Sequence, residues 1–548
     1  MAPQSLAVTG RRSFLGAGAA LLAAACTRGA PPLPPGELLA TDYRLGHRLR
    51  DGGLPSAREV RKARVVIVGG GIGGLSAAWR LQRAGMADIE LLELEASPGG
   101  NARWGESAVC AYPWGAHYVP LPTQEARATR WLLSDLGVLL GDPDAAEPRY
   151  EERALVHAPQ ERHYRHGTWS EGLVGLEGRT QQEKDEWQRF QARMQQLRNA
   201  RGRDGRRAFA IPLEHSTQDP ELLALDRITF EAWLRREGFV SEPVHWMANY
   251  ACRDDYGCDY RQASAWAGVH YFACRSGVAR HAEQDSVLTW PEGNGWLVRR
   301  LMERAAFTMT PGALVFRIEE RPRHVRIEAW LAREQRSIAI EAEHVVWAAP
   351  FAFAAHALAG TALAEPMRAY QYTPWVTANL TLSELPHERH GAPLSWDNVL
   401  HEAASLGYIV ATHQSVAVQP GATVLTWYLP LAHESPSAAR QRLLATGREH
   451  WAGMALAELS RPHPEIRSIT RRVDVMAHGH AMVLPHPGLV WGAARQRINA
   501  HRGRLHFAHA DASGLSLFEE ANDRGVAAAE TILAAMGSRQ PSLRYERG

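Results

Sequence analysis

Gly69, Gly71 and Gly74 stand in the spacing GxGxxG, and an acid, Glu93, follows them. These residue types in this pattern suit a dinucleotide. The first glycine permits a tight turn, the second lets backbone approach a pyrophosphate, and the third lets a helix pack closely on a strand. The acid accepts ribose hydroxyls. A nucleotide held this way brings redox chemistry that side chains lack. NAD, NADP and FAD all fit the motif, so these residues alone leave the chemistry open.

Two strands and a helix must position them. Val65–Val68 reads as a buried parallel strand, and Ile72 to Ala84 as the helix after it. Unpaired N–H groups at the helix start, around Ile72 and Gly73, then face the phosphates. Gly85 suits the helix end. A second strand, within "IELLELE", carries Glu93 at the ribose distance.

Beyond Glu93 comes "GGNAR", Gly99, Gly100, Asn101, Ala102 and Arg103. Here the chain resembles the FAD-dependent flavin amine oxidase group, which is related to phytoene desaturases and protoporphyrinogen oxidase. In that group a GG pair follows the second strand's acid, and its loop lies along the pyrophosphate and ribityl chain. Asn101 replaces the group's usual Arg, and Arg103 is the candidate for the missing cation. "YPWGAHYVP" resembles the segment that passes the flavin ring, which implies Gly115, Ala116, His117 and Tyr118 beside it. "WPEGNGWLVRRL" looks like the Gly-rich return into the nucleotide domain. "GALVFRIEER" resembles the strand that places Val315 by the adenine, and "HVVWAAP" the strand before the substrate domain.

"RLHFAHADASGLSLFEEANDRGVAAAETIL" resembles the group's closing FAD segment. The likeness makes Asp511 the ribityl contact and sets the Gly525 helix against the sheet. "AHAD" departs from the Gly usually found before the acid. A helix starting near Gly514–Ser516 would point its positive end at the flavin and stabilise charge on its reduced form. FAD is therefore the cofactor expected. The resemblance implies hydride transfer from a substrate C–H to flavin N5, with the protein orienting and desolvating the reactants.

Catalytic side chains are less legible. Trp427, Tyr428 and Trp491, with Tyr118 and Phe518, are candidates to wall an aromatic pocket, suited to an amine by cation–π contact or to a polyene by dispersion. His117 is a candidate proton acceptor. Glu519 and Glu520 either attract an ammonium or cap a helix dipole. Many oxidases of the group hold a water near N5 with a lysine. The matching strand here, "WVTANLTL", has none, and the chain's two lysines are Lys62 and Lys184. Slow reaction with oxygen, and another electron acceptor, follow as expectations.

The 548 residues carry a formal charge of +2, too weak a field to gather nucleic acid, and no Cys/His spacing suggests a metal. "GRRSFLGAGAALLAAAC" resembles a twin-arginine export signal built on Arg11 and Arg12, which implies a periplasmic protein. Cys26 at its end is a candidate lipid attachment to the membrane, although its lipidation box is imperfect. Four further cysteines permit disulfides, Cys252–Cys258 being nearest in sequence, or remain buried thiols.

The fold class expected is α/β, a Rossmann-like FAD-binding domain in discontinuous segments plus an α+β substrate domain with an antiparallel sheet. The division reads as a signal over 1–29 and a linker over 30–62, with "GAPPLPPGE" a tether and folded sequence starting near Arg64. FAD-binding pieces follow over 63–149, 285–350 and 491–548. The substrate domain fills 150–284, with a helical insertion, and 351–490. An amine-oxidising flavoenzyme is the first reading. A desaturase- or isomerase-like enzyme for an apolar substrate, and a partner protein with a structural FAD, are the alternatives.

Overall fold

In the computed structural model, which describes residues 32–283, 285–416 and 421–545, Val65–Val68 are buried between two layers. Arg11, Arg12 and Cys26 lie outside the described residues. Such a run, apolar at every position, is what a strand covered on both faces requires.

An eight-stranded and a seven-stranded sheet organise the chain. Their strands in chain order are β1 (Leu38–Ala40), β2 (Glu59–Val68), β3 (Ile89–Glu93), β4 (Glu161–Arg165), β5 (Thr168–Glu171), β6 (Thr308–Pro311), β7 (Ala313–Glu320) and β8 (Val325–Leu331). There follow β9 (Arg336–Trp347), β10 (Tyr372–Leu382), β11 (Asp397–Leu400), β12 (Gly407–Val410), β13 (Thr423–Pro430), β14 (Thr470–Val483) and β15 (Leu505–Phe507). The helices that matter for the site are α1 (Tyr43–Asp51), α2 (Ile72–Arg83), α3 (Gln181–Asn199), α4 (Glu242–Tyr256), α5 (Ala265–Cys274) and α6 (Phe518–Ala535).

The nucleotide sheet runs β6-β3-β2-β9-β8-β7, with β15 paired to the end of β9. β2, β3, β6, β15 and β9 lie parallel where they pair, and β7 and β8 form an antiparallel flap. Helices α2 and α6 cover one face. The second sheet runs β1-β14-β10-β13-β12-β11-β4-β5 and is mostly antiparallel, so the strand patterns from Trp375 onward form one sheet. Between them packs a helical region in which Phe190, Met194 and Leu197 of α3 are buried at helical spacing.

Of the stretch read as a linker, Leu38–Ala40 and Tyr43–Asp51 form a strand and a helix, which corrects the start of folded sequence from Arg64 to well upstream. Prolines do exclude helix from 32–36, but Asp42 then caps α1, its carboxylate accepting from the Leu45 N–H at 3.0 Å. Cys110, Cys252, Cys258 and Cys274 are free thiols, and all but Cys110 are buried.

The parts of the chain meet where side chains are missing. A Cβ on Gly73 would lie 2.1 Å from the Ala508 carbonyl oxygen, one on Gly74 1.9 Å from that of Gly69, and one on Gly525 2.3 Å from that of Gly73. Gly69 itself takes φ +104°, a conformation open to glycine. By contrast, a Cβ on Gly71 would meet no protein atom within 4 Å. We therefore expect Gly73→Ala to destabilise the fold by about 1–3 kcal/mol or more, since backbone must move to admit it. Gly71→Ala should leave the denaturation midpoint unchanged while weakening nucleotide binding. Paired melts and titrations of the two variants check this contrast.

Candidate functional site

A cleft of about 410 Å³ runs between the two sheets, and both halves of it are built from strand ends and helix ends. One half follows the glycine turn. α2 starts at Gly71 with no side-chain cap and no acid in its first turn, so its first N–H groups remain available to an anion. Gly69, Gly71, Ile72 and Gly73 line the cleft, with Gly99, Gly100, Asn101 and Ala102 opposite. Gly74 serves the helix–strand contact instead.

Glu93 closes this half at the end of β3 and lines it. Its two oxygens accept the N–H groups of Gly70 at 2.6 Å and Glu95 at 2.8 Å. Burial nevertheless pushes its carboxyl pKa up. Each oxygen keeps a second lone pair for a ribose hydroxyl. Val315, from β7, lies in the same end of the cleft. A dinucleotide fits these groups: glycine-walled room, free helix N–H donors and a terminal acid occur in the required order.

The other half is polar and aromatic. His117 Nδ1–H donates to the Gly115 carbonyl at 3.1 Å, which fixes the tautomer and leaves Nε2 as an acceptor. Its ring contacts Tyr118, Tyr428 and Trp396 at centroid distances of 5.2, 5.3 and 5.7 Å. Burial lowers its pKa to about 4, so the ring is neutral at pH 7. Gly115, Ala116, Tyr118, Ser516 and Phe518 also line the cleft. α6 begins at Phe518, slightly later than Gly514–Ser516, and its first turn presents Phe518 and Glu519 to the cleft.

Sequence reasoning missed a carboxyl cluster. α4 ends with Asp254 and Asp255 in the cleft wall, and α5 ends beside them with Arg275. Arg275 donates to Asp255 at 2.5 Å and to the Tyr118 hydroxyl at 3.1 Å, and that hydroxyl donates to Asp254 at 3.3 Å. The second Asp255 oxygen is buried without a hydrogen-bond partner. Burial pushes both aspartates up, and repulsion from Asp255 adds to the shift at Asp254. Burial also pushes Glu161 and Asp397, in paired register behind the wall, and Glu519 in it up to about 7. Tyr428 donates to Asp397 at 2.8 Å. The signal that was available is "RDDYG", two adjacent acids at the end of a helical stretch and just before a glycine.

Four expected site residues lie elsewhere. Trp427 faces the opposite side of β13 from Tyr428, since adjacent strand residues alternate, and its indole N–H donates to Glu458 at 3.0 Å. Trp491 packs on Trp266 and Arg495 in the helical region. Arg103 turns to Glu95 at 3.3 Å and does not line the cleft. Asp511 is fully buried and caps the helix Phe351–Ala357, accepting from the Phe351 N–H at 2.8 Å and from the Tyr372 hydroxyl. Its neighbours His509 and Ala510 line the cleft in its place.

Comparison with known proteins agrees with this architecture. Residues 67–136 match the model of an NAD(P)-binding Rossmann-like domain. No curated protein sequence matches the chain. Among solved structures, wild-type putrescine oxidase bound to putrescine is 17% identical with a TM-score of 0.61, covering 87% of this chain and 100% of its own. Cyclohexylamine oxidase from Brevibacterium oxydans IH-35A is 16% identical with a TM-score of 0.62 and the same coverage. A protein assigned as a protoporphyrinogen oxidase from Exiguobacterium sp. 255-15 is 16% identical with a TM-score of 0.56, covering 88% of this chain and 99% of its own. The chain shares their fold.

The raised carboxyl pKa values set a pH dependence of stability. The folded protein binds more protons at these acids than the unfolded chain, so their contribution is present below the ordinary carboxylate range. It is lost as pH rises through the folded values near and above 7. Asp254→Asn should therefore raise the melting temperature at pH 9 relative to the parent, with no gain at pH 4. Thermal melts of both proteins across that range check the sign.

Proposed function

We propose that this chain is an exported FAD-dependent oxidoreductase that oxidises an amine. The observation that carries the amine is the cleft's second half, where Asp254, Asp255 and Glu519 face one cation, Arg275. An ammonium entering there supplies the missing positive charge and draws the buried acids into their ionised form. Tyr118 and Tyr428 add aromatic faces suited to a cation. An apolar polyene would leave the acids desolvated without compensation, which disfavours the desaturase reading. The N-terminal Arg11–Arg12 signal supports export, and Cys26 offers membrane attachment.

Bound FAD supplies a hydride acceptor. The chain's own residues do the rest. The α2 N–H groups would hold the pyrophosphate and Glu93 the ribose. Gly115 to His117 and the first turn of α6 line the cleft where they would flank the flavin ring, with the α6 dipole directed into the cleft. A free amine lone pair is needed before the adjacent carbon is oxidised. An ionised carboxylate of the cluster, Asp254 or Glu519, is a stronger base for the ammonium proton than His117, whose pKa burial lowers to about 4. Arg275 holds Asp255 in place, and the surrounding rings exclude water.

Anaerobic addition of aliphatic amines to the FAD-loaded protein should bleach the oxidised flavin spectrum. Asp254→Ala should lower kcat/KM for the best amine at least about tenfold, equivalent to 1.4 kcal/mol. Absence of bleaching across amines, together with bleaching by an apolar polyene, would overturn the reading.

Neither Lys62 nor Lys184 lines the cleft. The reduced protein should accordingly reoxidise more slowly with dissolved oxygen than with a soluble quinone. Stopped-flow mixing with each acceptor measures this, and faster reoxidation by oxygen contradicts it.

A further inference from the structure

One end of the cleft is closed by a segment that none of the nucleotide-binding motifs includes. Beyond Glu93, its walls are Leu94, Leu314 and Val315 from the nucleotide sheet and Gly46 and Leu49 from α1. This helix is pinned at its start, where the Asp42 N–H donates to Glu95 at 2.9 Å. Leu45 packs with Leu314 and Trp330, and Arg48 lies 4.4 Å over the Trp330 ring.

Upstream, the same segment is anchored to the other sheet. β1 pairs in parallel with β14, Leu38 opposite Val475. The Glu37 N–H donates to Asp474 at 2.9 Å, and Glu37 itself pairs with Arg472 at 2.9 Å. Residues 37–51 thus run from one sheet to the other past the end of the cleft.

Gly46 is the telling residue. It sits inside α1, where glycine weakens a helix. A Cβ there would meet no protein atom closer than Leu94 Cδ2, at 3.7 Å. Protein packing therefore gives no reason for the missing side chain, yet the position faces the cleft. With a ribose on Glu93, the attached base falls into this apolar end, between Leu49, Leu94 and Val315.

We propose that residues 37–51 form a strap that binds the adenosine end of the dinucleotide, with Gly46 kept free of a side chain to admit the purine ring. The proposal rests on the reading of the cleft as an FAD site. The strap makes the adenosine pocket a joint product of both sheets, so release of the cofactor requires α1 to lift from Leu314 and Trp330.

Apoprotein titrated with FAD, followed by flavin fluorescence, tests this. Gly46→Leu should raise the FAD Kd at least tenfold while the apoprotein melts no lower than the parent, because leucine favours the helix. Leu49→Ala should raise the Kd several-fold and serves if the first variant does not fold. Arg50→Ala, on the exposed face, should bind FAD like the parent. An FAD Kd within twofold of the parent in the folded variants, or an equal loss in Arg50→Ala, overturns the strap. A parent protein that binds no FAD contradicts the underlying reading itself.

Discussion

The structure depends on backbone approaching backbone where a side chain would keep them apart. At the turn after β2, three remote pieces of chain meet around residues 69–77: the end of β9 near Ala348, the residue after β15, Ala508, and the middle of α6 at Gly525. Each contact is closer than any Cβ tolerates. The gain is twofold. The strand, the first helix and the last helix interlock into a rigid corner. The first N–H groups of α2 are also left without a side-chain cap, which is the condition for holding a pyrophosphate. One wall of the second half of the cleft is positioned from this corner, because α6 carries Phe518 and Glu519 into it.

The two halves of the cleft illustrate opposite electrostatic designs. Near the glycine turn the walls are backbone donors and a helix start, and a negatively charged ligand is favoured. At the far end, α4 and α5 both present their C-terminal ends to the cleft. Arg275 is favoured there by the helix dipole, whereas Asp254 and Asp255 are opposed by it as well as by burial. Asp254, raised to about 8, keeps its proton at neutral pH, while Arg275 pairs with Asp255. The paired acids Glu161 and Asp397 extend the same environment behind the wall.

What the sequence made legible follows from local rules. β2, α2 and β3 were readable because glycine spacing, apolar runs and the acid at a fixed distance are all local. The α3 stripe and the antiparallel strands were readable from periodicity. Side-chain direction across the fold was not. Trp427 and Tyr428 look alike in sequence, but only the pairing of β13 decides which one meets the cleft. Asp511 stands where a cofactor contact belongs by motif, yet its carboxylate is drawn to the free Phe351 N–H and the Tyr372 hydroxyl, 160 and 139 residues away in the chain. Asp254 and Asp255 gain meaning only when α5 brings Arg275 beside them. Residues 37–51 were hidden by the prolines before them, Pro32, Pro34 and Pro35, which mark the entry to a structured segment rather than its absence.

The central claim is that this corner holds one dinucleotide whose redox-active end faces the carboxyl cluster. The most direct measurement is the cofactor content of the purified protein, by absorbance and by chromatography of the supernatant after acid precipitation. The account predicts about one FAD per chain, with its adenosine intact. A colourless protein that gains no flavin when incubated with excess FAD, or one that carries NAD instead, would contradict it.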